Sequence, residues 1–338
     1  MTTLPAVRRR RLPRPLVLSG ILLVLALAVV LSVCVGGMPT TPAQVMGALF
    51  APTGTDADLA ITRLRLPRTL LGIVVGACLG LAGTLVQGHT RNPIADPGLL
   101  GIFQGAALAV VLVAALGNPS GLVQAGFAFV GALAASTLVF AIASRVRGGA
   151  TPVTLVLAGV AVSAICGALV TAIVLVNLDA LDTLRFWQVG SLATRNGAIA
   201  YMWPFAILGI VLALVNGPAL NALALGPDAA AALGVSRKRA RIVGVAAITV
   251  LAGTAVMLAG PIAFAGLIVP HLARAAVGSD YRWQLPAAAV IGSAVLILAD
   301  TVGRVIARPG ELSVSVVLAV VGAPFFIALA RRRRMASL

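Results

Sequence analysis

Ten apolar stretches, most of them near 20 residues long, constrain the fold of this chain more than any other feature. An α-helix needs roughly 20 apolar residues to cross the hydrocarbon core of a bilayer. Of the 338 residues, 60% are apolar and 10% are charged, whereas about 25% are charged in a typical soluble domain. A soluble domain could not cover its surface with so little charge. The sequence therefore predicts an all-α integral membrane protein with about ten transmembrane helices, at residues 16–35, 69–89, 98–116, 122–144, 153–176, 200–217, 242–260, 262–277, 285–304 and 312–330.

The basic residues are distributed unevenly between the loops that join these spans. The chain has 25 Lys and Arg against 9 Asp and Glu, a net charge of +16. Alternate loops hold 18 and 7 of the basic residues, and the richer set includes both Arg-rich termini, 1–15 and 331–338. Because cytoplasmic loops carry the excess of Lys and Arg, both termini are predicted to be cytoplasmic. Charges scattered between spans do not indicate a nucleic-acid partner.

Residue types that support catalysis or metal binding are scarce. The single lysine, Lys238, lies in the sequence Ser-Arg-Lys-Arg, so the chain has no phosphate-binding GxxxxGK[ST] loop. The three cysteines lie inside apolar runs and the two histidines are far apart. No catalytic residue, metal site or cofactor is therefore predicted. The middle third of every span lacks a charged residue, which argues against an ion-driven secondary transporter without excluding it.

Residues 219–240 form the largest predicted cytoplasmic connection apart from the termini. Pro227 and Asp228 suit the start of a short helix, since proline fits the first turn and an acid favours the positive end of the helix dipole. Gly234 would end that helix. The sequence therefore predicts two short helices joined at Gly226-Pro227, although an inert amphipathic loop has the same pattern.

Three arginines, Arg63, Arg65 and Arg68, precede the second span on the predicted outer side, which is otherwise poor in basic residues. They could be interfacial anchors whose charged ends reach the membrane surface. They could also form a docking site for carboxylates of a soluble partner, because arginine makes bidentate charged pairs.

Two prolines flank Asp96 in the sequence Asn92-Pro93-Ile94-Ala95-Asp96-Pro97. Proline removes an amide donor and constrains the residue before it, so no helix continues here. Asn92 and Asp96 can bond to the freed backbone groups. A structural turn formed by Asn92, Pro93, Asp96 and Pro97 is the favoured interpretation.

Several long segments, in this order, resemble one family: the FecCD-type permease subunits of ABC importers for ferric siderophores, haem and cobalamin. They are Arg63–Arg68, Gly76–Ile102, Trp187–Leu192, Leu220–Arg239, Gly260–Arg282 and Ala299–Arg304. The resemblance covers about Arg63 to Ala330. The chain departs from the usual Glu-Leu-Pro-x-Gly pattern at Ser313 and Ser315, which affects the predicted start of the last helix.

The resemblance implies roles for specific residues. It implies that Arg65, Arg68 and Arg304 dock an external substrate-binding lipoprotein, and that Trp187 and Gly190 lie beside an external gate. It also implies that the coupling residues insert into a groove of the ATPase subunit. These are Leu225, Gly226, Pro227, Asp228, Ala229, Ala230, Gly234 and Val235.

The resemblance further implies one transmembrane permease domain over 1–338, of the type II importer kind, in a bacterial cytoplasmic membrane. Such a chain is not an enzyme. It would work with two ATPase subunits and a second permease, an identical copy or a paralogue, to carry a ferric siderophore through a lipid bilayer. Cobalamin or haem is the alternative cargo, and a secondary transporter is the alternative from another class.

Overall fold

The computed structural model describes residues 13–117, 120–146, 150–193, 196–308 and 310–335, and these residues are almost entirely helical. A π-helical turn, Ala60–Arg65, leads into one helix, and a 3₁₀ turn, Pro97–Leu100, precedes another. Fourteen α-helices are formed within the described ranges: α1 Arg14–Cys34, α2 Pro42–Phe50, α3 Asp56–Leu59, α4 Leu66–Thr90, α5 Ile102–Ala115, α6 Gly121–Arg145, α7 Pro152–Val176, α8 Leu178–Gln188, α9 Asn196–Ala224, α10 Pro227–Ala232, α11 Arg237–Ala259, α12 Ala265–Val277, α13 Tyr281–Ile306 and α14 Val314–Met335.

All ten predicted spans coincide with helices in the described part of the chain. Seven helical segments are long and apolar enough to cross a bilayer, and α5, α12 and the start of α14 are shorter apolar helices. The 3₁₀ turn and Gly101, whose φ is 75°, directly precede α5 and delay its start to Ile102. The two ends of α12 are set by Gly260–Phe264 on one side and Gly278 on the other, where Phe264 and Gly278 have positive φ.

One predicted boundary is wrong. The sixth span was expected to end at residue 217, with a cytoplasmic loop over 219–240, but α9 continues to Ala224. Residues 219–224 contain no glycine or proline, so the helix continues until the turn at Gly226, whose φ is 109°. Within α9, Asn216 Nδ2 donates to the Ala240 carbonyl at 2.7 Å, and its Oδ1 lies 2.9 Å from the His89 ring. The first of the two predicted short helices is therefore the end of α9. We call residues 225–236 the coupling segment.

The ten long and intermediate helices alternate in direction, which defines two ends of the bundle. Arg14 at the start of α1 bonds to Asp280 at 3.1 Å, and Asn221 at the end of α9 bonds to the same carboxylate at 2.7 Å. We call this the coupling end. The opposite end holds the residues around Arg68 and Arg304, and we call it the arginine end. By alternation, α14 runs toward the coupling end, so Arg14 and residues 331–335 share one end of the molecule.

The core of the bundle is built on α4, which packs closely against α13 and α12. Gly76 faces the backbone of Gly292 and Ser293 so closely that a Cβ atom would overlap with it, and Gly83 faces the backbone of Gly266 in the same way. The Ser293 hydroxyl donates to the Ile73 carbonyl at 2.7 Å across this contact. These glycines thus allow the helices to approach closely, as small residues do in other membrane bundles.

Candidate functional site

Arg68 lies at the centre of a buried charge network at the arginine end. Its Nε donates to both oxygens of Asp300 at 2.9 Å, and its Nη2 donates to Oδ1 at 2.8 Å. Its Nη1 reaches Glu311 Oε2 at 2.5 Å. The Asp300 side chain is almost fully buried, whereas that of Glu311 is 41% exposed. A bidentate, charge-assisted arrangement of this kind orients both partners strongly.

Arg304 approaches the same carboxylate from the next turn of α13 and is 2% exposed. Its Nε lies 3.2 Å from Asp300 Oδ2. Its Nη1 donates to the carbonyls of Ser32 and Val35, and its Nη2 to the Ser32 hydroxyl at 2.6 Å. Arg304 therefore joins α13 to the end of α1.

Arg65 also points inward, and its position depends on the π-helical turn that ends there. Its guanidinium lies against Gly36 and donates to Thr40 Oγ1 at 2.7 Å and to the carbonyls of Cys34 and Met38. We call Arg65, Arg68 and Arg304, with Asp300 and Glu311, the arginine cluster. It borders a cavity of about 110 Å³ that also contacts Gly37, Met38 and Leu64.

The structure thus brings the three predicted docking arginines together, but not as surface cations. All three are at least 93% buried and bond to groups of the same chain. Interfacial snorkelling does not account for Arg65 and Arg68, because their charged ends do not reach the surface. In this conformation Glu311 is the exposed charge of the cluster, and direct docking by the arginines stays a prediction.

The coupling segment projects from the coupling end. Gly226 and Gly234, with φ of 109° and 73°, bracket α10. Leu225 is 70% exposed, and Asp228 and Gly234 are also exposed, whereas Ala229 and Val235 are half-buried. Ala230 is fully buried, so the prediction that it contacts a partner does not fit its position. The Pro227 side chain lies outside the described residues.

A second exposed leucine was missed by sequence reasoning. Leu233 follows α10 and is 63% exposed, so the segment presents an apolar side chain at each side of the short helix. The sequence Ala-Ala-Ala-Ala-Leu at 229–233 could have indicated this exposed leucine, since one large apolar residue ends a stretch of small ones. Two exposed leucines on a polar end of a membrane protein suit insertion into an apolar groove.

The turn after α4 lies at the coupling end, beside α12 and α9. Asn92 Oδ1 accepts the Ile94 amide at 3.0 Å, and Asp96 Oδ1 accepts the Gly98 amide at 2.8 Å. The His271 ring lies 2.9 Å from the Pro93 carbonyl, and Pro97 packs against Gly266. The four turn residues thus join α4 to α12.

Two carboxylates at this end have shifted pKa values. Burial raises the pKa of Asp96 to about 6, although the Gly98 amide opposes the shift. Burial would also raise the pKa of Asp280. Hydrogen bonds from Asn221 and from the Arg282 amide, together with the charge of Arg14, outweigh it and hold that pKa below its usual value.

The predicted gate residues are closely packed at the arginine end: Trp187 lies in the last turn of α8, and Gly190 follows that helix. Trp187 is 2% exposed, so it is a buried residue rather than an interfacial one. Gly190 has φ of 60° and faces the Pro261 carbonyl. The hydroxyl of Ser313 donates to the Gly190 carbonyl at 2.8 Å. The departure from the family pattern at Ser313 thus gives this segment a polar contact at the start of α14.

A polytopic helical bundle with a buried charge network at one end and an exposed apolar segment at the other has the features of a transporter permease. The model of the FecCD transport family matches residues 22–332. A solved ABC transporter described as metal-chelate type, in an inward-facing conformation, superimposes with a TM-score of 0.82 at 28% identity, covering 94% of this chain and 99% of that one.

Curated relatives agree with the structural match. The ferric enterobactin transport system permease protein FepD of Escherichia coli K12 is 48% identical over 95% of this chain and 96% of its own length. The hemin transport system permease protein HmuU of Yersinia pestis is 40% identical over 80% and 83%. The cobalamin import system permease protein BtuC of Halobacterium salinarum is 36% identical over 90% and 82%.

These findings define the class of the protein as the permease subunit of an ABC importer. The chain belongs to the FecCD transport family, with the match extending over nearly all of its length.

Proposed function

We propose that this chain is one permease of an importer that carries a ferric siderophore across a bacterial cytoplasmic membrane, with both termini in the cytoplasm. The observation that carries the proposal is the 48% identity to a ferric enterobactin permease over 95% of the chain. A second permease, two ATPase subunits and an external binding lipoprotein would complete the importer.

Energy would enter through the coupling segment. The chain has a single lysine and no GxxxxGK[ST] loop, so ATP would bind to another subunit. Leu225 and Leu233 would sit in an apolar groove of that ATPase. When ATP draws the ATPases together, the segment would follow and, through α9 and α11, shift the long helices.

The binding protein would dock at the arginine end. Because Arg68 already holds Glu311 at the rim, a carboxylate of the partner would approach by displacing Glu311 from Arg68. Arg65 and Arg304 would then keep α1, α4 and α13 in register beneath the contact. Docking of this kind would weaken as salt rises, because exposed charges are screened.

Cargo is tested by uptake in proteoliposomes that contain the complete importer. A panel of ferric hydroxamate, ferric catecholate and ferric citrate complexes is compared with haem and cobalamin. We expect ATP-dependent uptake of a ferric chelate. Uptake of haem or cobalamin alone would contradict the siderophore assignment and favour one of the alternative cargoes. Uptake without the ATPase would contradict the importer mechanism.

Coupling is tested by Leu225→Ser and Leu233→Ser, which remove the exposed apolar contacts. We expect binding-protein-stimulated ATP hydrolysis to fall roughly tenfold in the double variant, since burying each leucine is worth about 1.5–3 kcal/mol. Leu116→Ser is the matched control, because Leu116 is 86% exposed at the opposite end. Equal losses in the control and the double variant would refute a specific contact.

A further inference from the structure

Three cations line a cavity of about 720 Å³ at the coupling end, outside the coupling segment itself. Arg237, Lys238 and Arg241 come from the first two turns of α11, and Ser144 and Thr151 face them from α6 and the start of α7. We call this cavity the basic cleft. A smaller cavity of about 220 Å³, beside His89 and Arg91, shares Arg237 and Arg241 with it.

The charges in the basic cleft are unfavourably placed for the chain on its own. Cations in the first turn of a helix oppose the positive end of its dipole. Arg237 and Arg241 are also four residues apart on one helix, where like charges repel. Among the described residues, no carboxylate forms an ion pair with any of these three cations. An anion in the basic cleft would relieve all of these interactions.

The depth of the basic cleft indicates what kind of anion fits. Arg237 and Lys238 lie at its mouth, at the end of the bundle, and Arg241 lies one turn deeper. Farther from the end of the bundle the wall of the cleft is apolar. Phe140 lies about 7.5 Å along α6 from its last residue, at 1.5 Å per residue. Ile242 follows Arg241 and is 44% exposed. The cleft is therefore cationic where a headgroup would lie and apolar where an acyl chain would begin.

We propose that the basic cleft binds the phosphodiester of an anionic membrane phospholipid. Arg237, Lys238 and Arg241 contact the phosphate, and an acyl chain lies along Phe140 and Ile242. Ser144, whose hydroxyl donates to the Ala141 carbonyl, and Thr151 border the headgroup. Basic pockets between helices at the cytoplasmic surface bind such headgroups in other membrane proteins. The site is independent of the cargo and would remain if the transported molecule were haem or cobalamin.

Native mass spectrometry of the full chain in detergent tests the proposal. Cardiolipin and dioleoylphosphatidylglycerol are added as probes, with dioleoylphosphatidylcholine as the zwitterionic reference. We expect the anionic lipids to be retained about tenfold better than phosphatidylcholine. Equal retention of all three lipids would overturn the proposal.

Substitutions of the three cations test whether the anionic lipid binds in the basic cleft. Arg241→Gln should weaken retention of anionic lipid roughly fivefold, and Arg237→Gln, Lys238→Gln and Arg241→Gln together should weaken it roughly a hundredfold, at about 1 kcal/mol per charge. Arg241→Lys should keep most of the binding. Arg239→Gln is the matched control, since Arg239 is exposed in the same turn but does not line the cleft.

Four results would count against the proposal. Unchanged retention in the triple variant would remove the site. A loss in Arg239→Gln as large as in Arg241→Gln would mean a diffuse surface potential. Displacement of bound cardiolipin by millimolar inorganic phosphate would point to a free-phosphate site, and loss of ATPase binding instead of lipid binding would point to a protein partner. Size-exclusion profiles check that every variant remains folded.

Discussion

The two ends of the bundle handle buried charge in opposite ways. At the arginine end, Asp300 lies between Arg68 and Arg304, and Glu311 completes the network. At the coupling end, Asp96 is half-buried and forms no ion pair among the described residues, while Arg241 lies beside the like charge of Arg237. Both carboxylates of the arginine cluster are paired with arginines of the same chain, whereas Asp96 at the coupling end is not paired in the described part of the chain.

The difference has a physical consequence for transport. The buried pairs of Asp300 with Arg68 and Arg304 resist rearrangement, because separating their members leaves uncompensated charges in a low-dielectric region. The arginine end therefore suits a rigid platform that holds α1, α4 and α13 together. An end with unpaired charges and exposed leucines is completed by other molecules, which we propose to be the ATPase at the coupling segment and phospholipid at the basic cleft.

Of the substitutions that compare the two ends, Asp300→Ala is expected to change the free energy of unfolding most. Asp300→Ala would leave Arg304 without the carboxylate that it contacts and would remove the bidentate partner of Arg68. We expect the free energy of unfolding in detergent to fall by about 3–5 kcal/mol, as when one member of a buried pair is removed. Chemical or thermal unfolding of the purified chain measures it.

Asp182→Ala is the control for Asp300→Ala. Asp182 pairs with Arg185 on α8, and both side chains are about two-thirds exposed, so its loss should cost at most about 1 kcal/mol. Similar losses in the two variants would mean that burial does not strengthen the arginine cluster.

An intermediate effect is expected at Asp96, the half-buried carboxylate of the coupling end. Its pKa is raised from 3.8 to about 6, so the folded state disfavours the charged form. Stability is therefore highest when Asp96 is protonated and is lost as pH rises from about 4 through 6, by no more than about 3 kcal/mol. Melting temperatures between pH 5 and 7.5 should fall in the wild type.

Asp96→Asn should flatten that pH dependence while keeping the acceptor for the Gly98 amide. Asp228→Asn, which changes an exposed carboxylate at the same end, should leave the wild-type slope intact. A slope that persists in Asp96→Asn would show that another group causes it.

The smallest change in the free energy of unfolding is expected at Arg241, and it is an increase rather than a decrease. In detergent without phospholipid, Arg241→Gln removes a repulsion and should raise the free energy of unfolding by up to about 1 kcal/mol. With cardiolipin present, the wild type should gain more stability than the variant, because only it has the complete anion site. Destabilisation without lipid would mean that Arg241 already has a partner within the chain.

Much of the fold could be predicted because hydropathy and backbone chemistry are local. Runs of apolar residues predicted the ten helices, seven of which, within the described residues, are long and apolar enough to cross a bilayer. Asn92 and Asp96 make the turn bonds expected of their residue types. The positive φ of Gly226 and Gly234 likewise follows from glycine's freedom at helix ends. These features depend on a few neighbouring residues.

The arginine cluster could not be predicted in the same way. Arg68 and Asp300 are 232 positions apart, and their contact depends on α4 and α13 being neighbours, which periodicity does not reveal. A partial signal was present: Asp300 and Arg304 stand four residues apart on one helix face, as ion pairs often do. The contact between Asn216 on α9 and Ala240 on α11 is non-local in the same way.

Cysteine labelling tests whether the coupling end faces the cytoplasm and contacts a separate ATPase subunit. In a chain with Cys34, Cys78 and Cys166 replaced by alanine, Leu233→Cys and Leu116→Cys are treated with a membrane-impermeant maleimide in intact cells and in inverted vesicles. We expect Leu233→Cys to react only in inverted vesicles and to be protected by the ATPase, and Leu116→Cys to react only in intact cells. Labelling of Leu233→Cys in intact cells would contradict the account.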